Sequence, residues 1–316
     1  MSAAPLAIDP DIRTAVPPPP AFYDGPAWWQ AVRDRVLVPS WHACEPAPRG
    51  PAQVVPETCL PGTLDEPILR TVDAVGRAHV LANVCTACGA VLTERERADA
   101  VELRCEDRDC GTRYGLDGGV VSGPTLHVTP SHTWGPITFA SVSPAVSGAA
   151  WLEPVRHRLA STPLAAAMHQ PRGSRDFAVR AHWMRYCEHA LRASLADDLG
   201  AFDLLSTGVV REAAGSDGPA TRVWLFPTTI VDIDAHGISV RAVQPASPRS
   251  TRVVLHRYAW AQGGPGEVDR RHYEDEARIE RRARGLRSHA MRAHRYDPSR
   301  DVGVHHFHRL LAHHLA

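Results

Sequence analysis

Lysine is absent from this chain of 316 residues, so all 35 of its basic side chains are arginine. Together with a heavy load of alanine and 27 prolines, this marks a coding bias and carries no binding signal. Net charge is absent too, with 35 basic residues against 35 acidic ones, so no broad field favours nucleic acid or a membrane surface. No apolar run approaches the roughly 20 residues of a membrane span. The opening MSAAPLAIDPDIRTAVPPPP lacks the charged n-region and apolar core of a secretory signal. A cytoplasmic protein with reduced cysteines is therefore expected, in which close thiol pairs point to metal rather than to disulfides. There is no internal repeat.

What is present is a cysteine pattern. Four of the seven cysteines fall as Cys85-x2-Cys88, sixteen residues, then Cys105-x4-Cys110. A glycine follows each pair, Gly89 and Gly111, where a tight turn can aim backbone N–H groups at thiolate sulfur. Scattered structural thiols rarely fall this way, and the stretch reads as two metal-binding knuckles. Cys44, Cys59 and Cys187 remain as ordinary thiols.

Around the knuckles the chain is an ordinary globular one, 44% hydrophobic and 22% charged, and long enough for two domains. Residues 1–20 read as an extended, mobile arm and 23–38 as a short amphipathic helix carrying Trp29, Val32 and Val36. Short apolar runs between 39 and 150, with a hairpin turn at Asp117-Gly118-Gly119, form a small all-β module. From Trp151 the pattern changes. WLEPVRHRLAST is a short helix, FAVRAHW a strand, and YCEHALRASLADDLGAF a helix with Leu191, Leu195 and Leu199 on one face. Alternating strands follow up to Trp260, then a long arginine-rich helix and a final amphipathic one. This is an α+β arrangement, with an antiparallel sheet closed by a long C-terminal helix.

Several strings in this order resemble the α-subunit of Rieske-type ring-hydroxylating oxygenases over nearly the whole chain. They are AWWQAVRDRVLVPSWH, the frame NVCTACG…CGTRYGLDG, WGPITFASVSP, RAHWMRYCE, WLFPTTI, AVQP and the closing EDEARIE…GLRS…GVHHFHRLL. The resemblance implies an arm and helix over 1–38 that pack on the C-terminal domain. It also implies a Rieske-like or zinc-ribbon β-domain over 39–150 and a helix-grip (START-like) catalytic-type domain with a pocket over 151–316. A ring-shaped trimer is implied as well.

The chain departs from that family at both redox centres. A Rieske cluster takes its ligands as Cys-x-His and Cys-x-x-His. Here Ala87 stands at the first histidine position, Cys110 at the second, and Asp107 where the latter's cysteine partner belongs. Cys88 and Cys105 are thiols that the family pattern does not require. Four thiolates suit a structural zinc ion at about 2.3 Å per bond; a single iron or an all-cysteine 2Fe–2S cluster is the alternative. At the mononuclear-iron site the family's ligand positions fall on Arg192, Leu195 and Gly200, none of which binds iron. Asp275 occupies the position of the family's ligand carboxylate, without histidine partners. His182 and His189 are too far apart to chelate one ion, about 10 Å along a helix axis.

Asp275 therefore reads either as a helix N-terminal acid or as an inherited pocket carboxylate, with His182, Glu188 or Asp232 as candidate catalytic partners. Asp232, Asp234 and His236 share one strand face, turned either to the pocket or to solvent. The histidines of the C-terminal helix (His305, His306, His308, His313, His314) belong to a docking helix whose apolar face is Phe307, Leu310 and Leu311. The arginines of the long helix (Arg278, Arg281, Arg282, Arg284, Arg287) read as a solvated or subunit-facing surface. Two functions follow. One is a non-catalytic partner in a homo- or hetero-trimer, assembled with an intact oxygenase α-subunit. The other is a repurposed enzyme working on a small-molecule substrate without a redox metal. An active oxygenase is the least favoured.

Overall fold

Proline punctuates the N-terminal segment, and the chain breaks where it stands. The computed structural model describes residues 6–48, 50–162, 164, 167, 171–193, 202–215, 218–260, 271–288 and 295–316. The helix expected over 23–38 is three pieces: α1 (Pro20–Asp24), α2 (Pro26–Val32) and a π-helical turn, Arg33–Leu37. Pro26 has no N–H to continue the first piece but suits the first turn of the second. The arm before it is not loose over its described part. Ala15 is buried, Leu6 and Ile12 pack on the core, and His305 Nε2 lies 2.7 Å from the Asp9 carbonyl.

Nine short strands follow. They are β1 (His42–Ala43), β2 (Gln53–Cys59), β3 (Glu66–Val72), β4 (Ala78–Ala82), β5 (Leu103–Arg104), β6 (Arg113–Tyr114), β7 (Val120–Ser122), β8 (Ser131–Trp134) and β9 (Ile137–Ala140). They pair into three antiparallel three-stranded sheets, β2-β3-β4, β5-β6-β7 and β1-β9-β8. Val54, Leu69, Leu81, Leu92, Leu103, Tyr114 and Leu126 make a small core, and two of the knuckle cysteines are part of it.

The second half is built on one sheet. After α3 (Gly148–Arg158) come β10 (Gly173–Val179) and α4 (Trp183–Leu191). The strands β11 (Phe202–Leu205), β12 (Gly208–Gly215), β13 (Gly218–Leu225), β14 (Thr229–Asp234), β15 (Gly237–Ser247) and β16 (Ser250–Ala259) then precede α5 (Arg271–Leu286) and α6 (Val302–Leu315). The sheet is antiparallel throughout, in the order β10-β16-β15-β14-β13-β12-β11. Both faces are covered, which is why β15 is buried from Gly237 to Pro245 instead of alternating. On one face Trp224 meets Phe307 of α6 at 5.0 Å between ring centroids, and Phe307 meets Trp183 of α4 at 5.9 Å. On the other, Trp151 of α3 packs on Phe139 at 5.0 Å. Truncating Phe307 to alanine costs about 3–5 kcal/mol by the usual price of a core aromatic. Among the described residues no helix is long and apolar enough to cross a membrane.

One expected element is shorter than the sequence indicates. The leucine spacing predicts a helix running from 186 past 199, but α4 ends at Leu191, where Arg192 turns extended (φ −77°, ψ 132°). The Ala193 N–H is taken by the Arg300 carbonyl at 3.0 Å instead of by its own helix. Gly303 lets α6 come close at this point, since a Cβ there would lie 2.9 Å from the Leu191 carbonyl oxygen. Leu195, Leu199 and Gly200 lie outside the described residues.

Candidate metal centre and the charged cluster on α4

The two knuckles are closed by local backbone bonds. In the first, Cys85 N–H donates to Ala90 O (2.8 Å), and Gly89 N–H donates to Cys85 O (2.8 Å). Gly89 has φ +77°, so this turn does use glycine's freedom; Gly111, after the second knuckle, is not left-handed. Asn83 ties the loop's far side down through Thr93 O (2.8 Å) and Thr93 N (3.2 Å). In the second knuckle Cys105 N–H donates to Thr112 O (3.1 Å) and Cys110 N–H to Asp107 O (3.2 Å).

The loops face each other and bring Cys85, Cys88, Cys105 and Cys110 together, all four Sγ atoms within 4.8 Å of one another. Cys85 lies 3.7 Å from Cys110, and Cys88 lies 3.6 Å from Cys105. A single ion held tetrahedrally at about 2.3 Å sets its sulfurs about 3.8 Å apart, so the donor set fits one ion. Two irons would spread the thiolate pairs by the further iron–iron span. Cys85 and Cys105 are buried while Cys88 is exposed, which places the cluster at the module's edge.

The thiols differ in acidity. Burial opposes ionisation of Cys85, but the Tyr114 hydroxyl at 3.3 Å and nearby backbone N–H groups bring it down to about 6. The Thr112 hydroxyl, 3.2 Å away, lowers Cys110. Cys105, by contrast, is pushed up to about 12 by burial. Ala87 and Asp107, at the family's ligand positions, are both exposed, and Asp107 accepts from Asp109 N–H at 3.0 Å to close a turn.

The four candidates in the second half do not converge. Asp275 on α5 is half-buried and does have a histidine partner, contrary to the sequence reading: its Oδ1 lies 3.1 Å from His189 Nε2, in the last turn of α4. Arg278 stands 3.9 Å off. Burial acts to raise this carboxyl, but His189, Arg222 and Arg241 overcome it and hold it below the ordinary range. That is opposite to the shift a general base working near neutrality needs. Asp232 is bound by Arg222 (2.6 Å) and by the buried Arg241, so it stands in an ion-pair network. Asp234 serves its own turn, accepting from His236 and Gly237 N–H (2.8 and 3.0 Å) and from Arg257 (2.7 Å), and His236 is exposed beyond the strand.

Glu188 lies in a separate buried cluster. It accepts from the Tyr23 hydroxyl (2.8 Å) and from Arg185 (2.7 Å), with His308 Nε2 at 3.2 Å, and Tyr296 closes the chain on His308 Nδ1 at 2.7 Å. Burial alone would raise Glu188, yet these partners hold its carboxyl far below the ordinary range. His182 is the N-cap of α4, its Nδ1 accepting from Met184 N–H (3.3 Å), and burial drops it to about 3. It is a neutral structural histidine. Of the family's iron positions, Arg192 pairs with Asp301 at 3.0 Å.

Cavities beside α4 hold about 10–30 Å³ each, space for one or two waters. Sequence reasoning did not find His189 as the partner of Asp275, nor Tyr23 and His308 as partners of Glu188. The contacts of Glu188 with Tyr23 and His308 span 165 and 120 residues, and no local spacing carries them.

No family model matches the sequence, and no curated protein matches it. The fold does match solved structures. The apo quaternary ammonium Rieske monooxygenase CntA is similar over 96% of both chains with a TM-score of 0.78 at 14% identity. Its complex with L-carnitine covers the same 96% of each at 13% identity and a TM-score of 0.78. Naphthalene 1,2-dioxygenase from Rhodococcus sp. bound to indole matches over 94% of this chain and 93% of its own, with a TM-score of 0.72 at 12% identity. The fold of this chain is therefore that of the Rieske oxygenases.

Proposed function

We propose that this protein is a Rieske-oxygenase-like α-subunit without redox chemistry of its own, which assembles with an intact oxygenase α-subunit. The observation that carries this reading is the compact thiol set, four Sγ atoms within 4.8 Å in place of two cysteines and two histidines. Cys85, Cys88, Cys105 and Cys110 hold one structural zinc ion, for which four thiolates are a closed coordination shell with no open position. Zinc has no redox states, and its work here is to hold residues 39–150 together as a zinc-ribbon-like module. On the helix-grip half, residues 151–316, the carboxylate at the family's ligand position is engaged by His189. Leu195 at another ligand position points the same way.

CntA is described as showing inter-subunit electron transfer. By analogy the chain takes a place in a ring-shaped trimer, with the arm over 1–38 packed on its C-terminal half, and shapes or regulates its neighbour. Anaerobic purification from the native host, with metal analysis, tests this. One zinc per chain, no iron, and an intact α-subunit in fixed ratio are expected. Two or more irons with visible charge-transfer bands would sink it.

The Asp275–His189 pair supports a second reading, acid–base chemistry on a small molecule. A homo-oligomer whose turnover of such a molecule is lost in both Asp275→Asn and His189→Gln would establish that reading instead.

A further inference from the structure

Four of the five arginines singled out on and just after α5 fit a solvated surface: Arg278, Arg281, Arg284 and Arg287 are exposed. Arg282 differs. It is half-buried and lines a cavity of about 20 Å³ together with Arg185, Arg192, Glu188, Asp301 and Tyr296. Three guanidiniums thus face one small space, and the two carboxylates that face it are already engaged. Glu188 is bonded to Tyr23, Arg185 and His308. Asp301 is bonded to Arg192 (3.0 Å) and to the Asp297 N–H (2.9 Å). Arg282 is left with no hydrogen bond or ion pair among the described residues. Burial and then the nearby Arg192 push its pKa down, and the carboxylates of Glu188 and Asp301, each already bonded elsewhere, offset only part of that.

Three guanidiniums against two carboxylates leave one positive charge in excess around this space, and a half-buried cation with no bonded partner favours an anion beside it. We infer that the cavity between α4, α5 and α6 binds one small anion of chloride size, held by Arg282 with Arg192 and Arg185. The volume sets the class, since it admits about one water-sized group and leaves no room for a phosphate. The ion joins α4, α5 and α6 to the N-terminal arm, which reaches the same cavity at Pro17. This site is independent of the thiol cluster and of the oligomer proposed above.

Thermal unfolding of the full chain in sodium chloride against sodium gluconate, at matched ionic strength, tests the site. The unfolding midpoint should rise saturably with chloride, by about 2 °C at ten times its Kd. Arg281→Met, on the exposed face, should keep that rise, and Arg282→Met should lose it. A flat response of the natural protein, or an undiminished saturable rise in Arg282→Met, overturns the site. Should Arg282→Met fail to fold, bromide-soaked crystals of the natural protein decide: an anomalous peak beside Arg282 supports the site, and its absence overturns it.

Discussion

The thiol cluster and the charged cluster on α4 both hold ionisable groups where water is scarce, but they balance charge in opposite ways. At the knuckles, four donors of one kind converge, and among the described residues their side-chain partners are other thiols and the hydroxyls of Tyr114 and Thr112. Around α4, each carboxylate already faces a cation from the chain: Glu188 has Arg185, Asp232 has Arg222 and Arg241, Asp275 has His189, and Asp301 has Arg192. On the proposed reading the first region takes up a metal ion, whereas the second balances its charges from within except at Arg282. Convergence of donor atoms therefore does not by itself mark a metal site. What marks it is convergence without internal counter-charge.

The sharpest way to break this contrast is to strip the metal. If the proposed zinc ion is bound, chelation, or Cys105→Ser, should unfold the 39–150 module, because a structural zinc ion supplies on the order of 10 kcal/mol of folding free energy. Proteolysis should then cut between 84 and 116, while the aromatic circular-dichroism signal of Trp183, Trp224 and Phe307 persists. A stripped protein that resists cutting there would show that the knuckles stand without an ion.

A smaller loss is expected in the other region, from within the chain. Glu188→Ala strands Arg185 and His308 in the interior, at about 3–5 kcal/mol in urea unfolding. Glu188→Gln keeps the shape and a partner for Tyr23, and should cost less. Equal stability of Glu188→Ala and the natural protein would dissolve the cluster's structural role.

Acid should weaken the packing around two buried histidines outside the thiol cluster. His42 is held down near 4 by burial, its ring bonded to Leu37 O (2.7 Å) and Thr228 (3.0 Å), and His182 is held near 3 by burial. Their folded pKa values lie below the ordinary 6.5, so the unfolded chain takes up protons first as pH falls. Stability is thus fully present above about pH 6.5 and declines between there and pH 4, by up to about 1.4 kcal/mol per pH unit for each histidine. Urea midpoints at pH 7.5, 5.5 and 4.5 measure the slope, and His182→Gln should reduce it. The smallest effect belongs to Asp275→Asn. A half-exposed ion pair contributes at most about 1 kcal/mol, and on the proposed partner reading the variant should still assemble and leave its neighbour's activity intact.

The four-thiol cluster was legible because each knuckle closes within a few residues, so Cys85–Cys88 and Cys105–Cys110 spacing is already most of the geometry. The fold was legible in ordered strings such as GVHHFHRLL, whose Phe307 and Leu311 are core residues as that helix requires. The end of α4 was not legible, since its sequence stays helical past Leu191. Asp301 holds Arg192, and Arg300 takes the next N–H, from more than a hundred residues away. Nor does anything near Asp275 in the chain name His189, because Ile279 and Ala283 on the buried side of α5 set which turn of α4 it meets. By itself the sequence determined the donor set and the order of elements, since both rest on short-range spacing and periodicity. Only the tertiary structure decided which charges are neutralised, because counter-charges arrive through packing of distant elements.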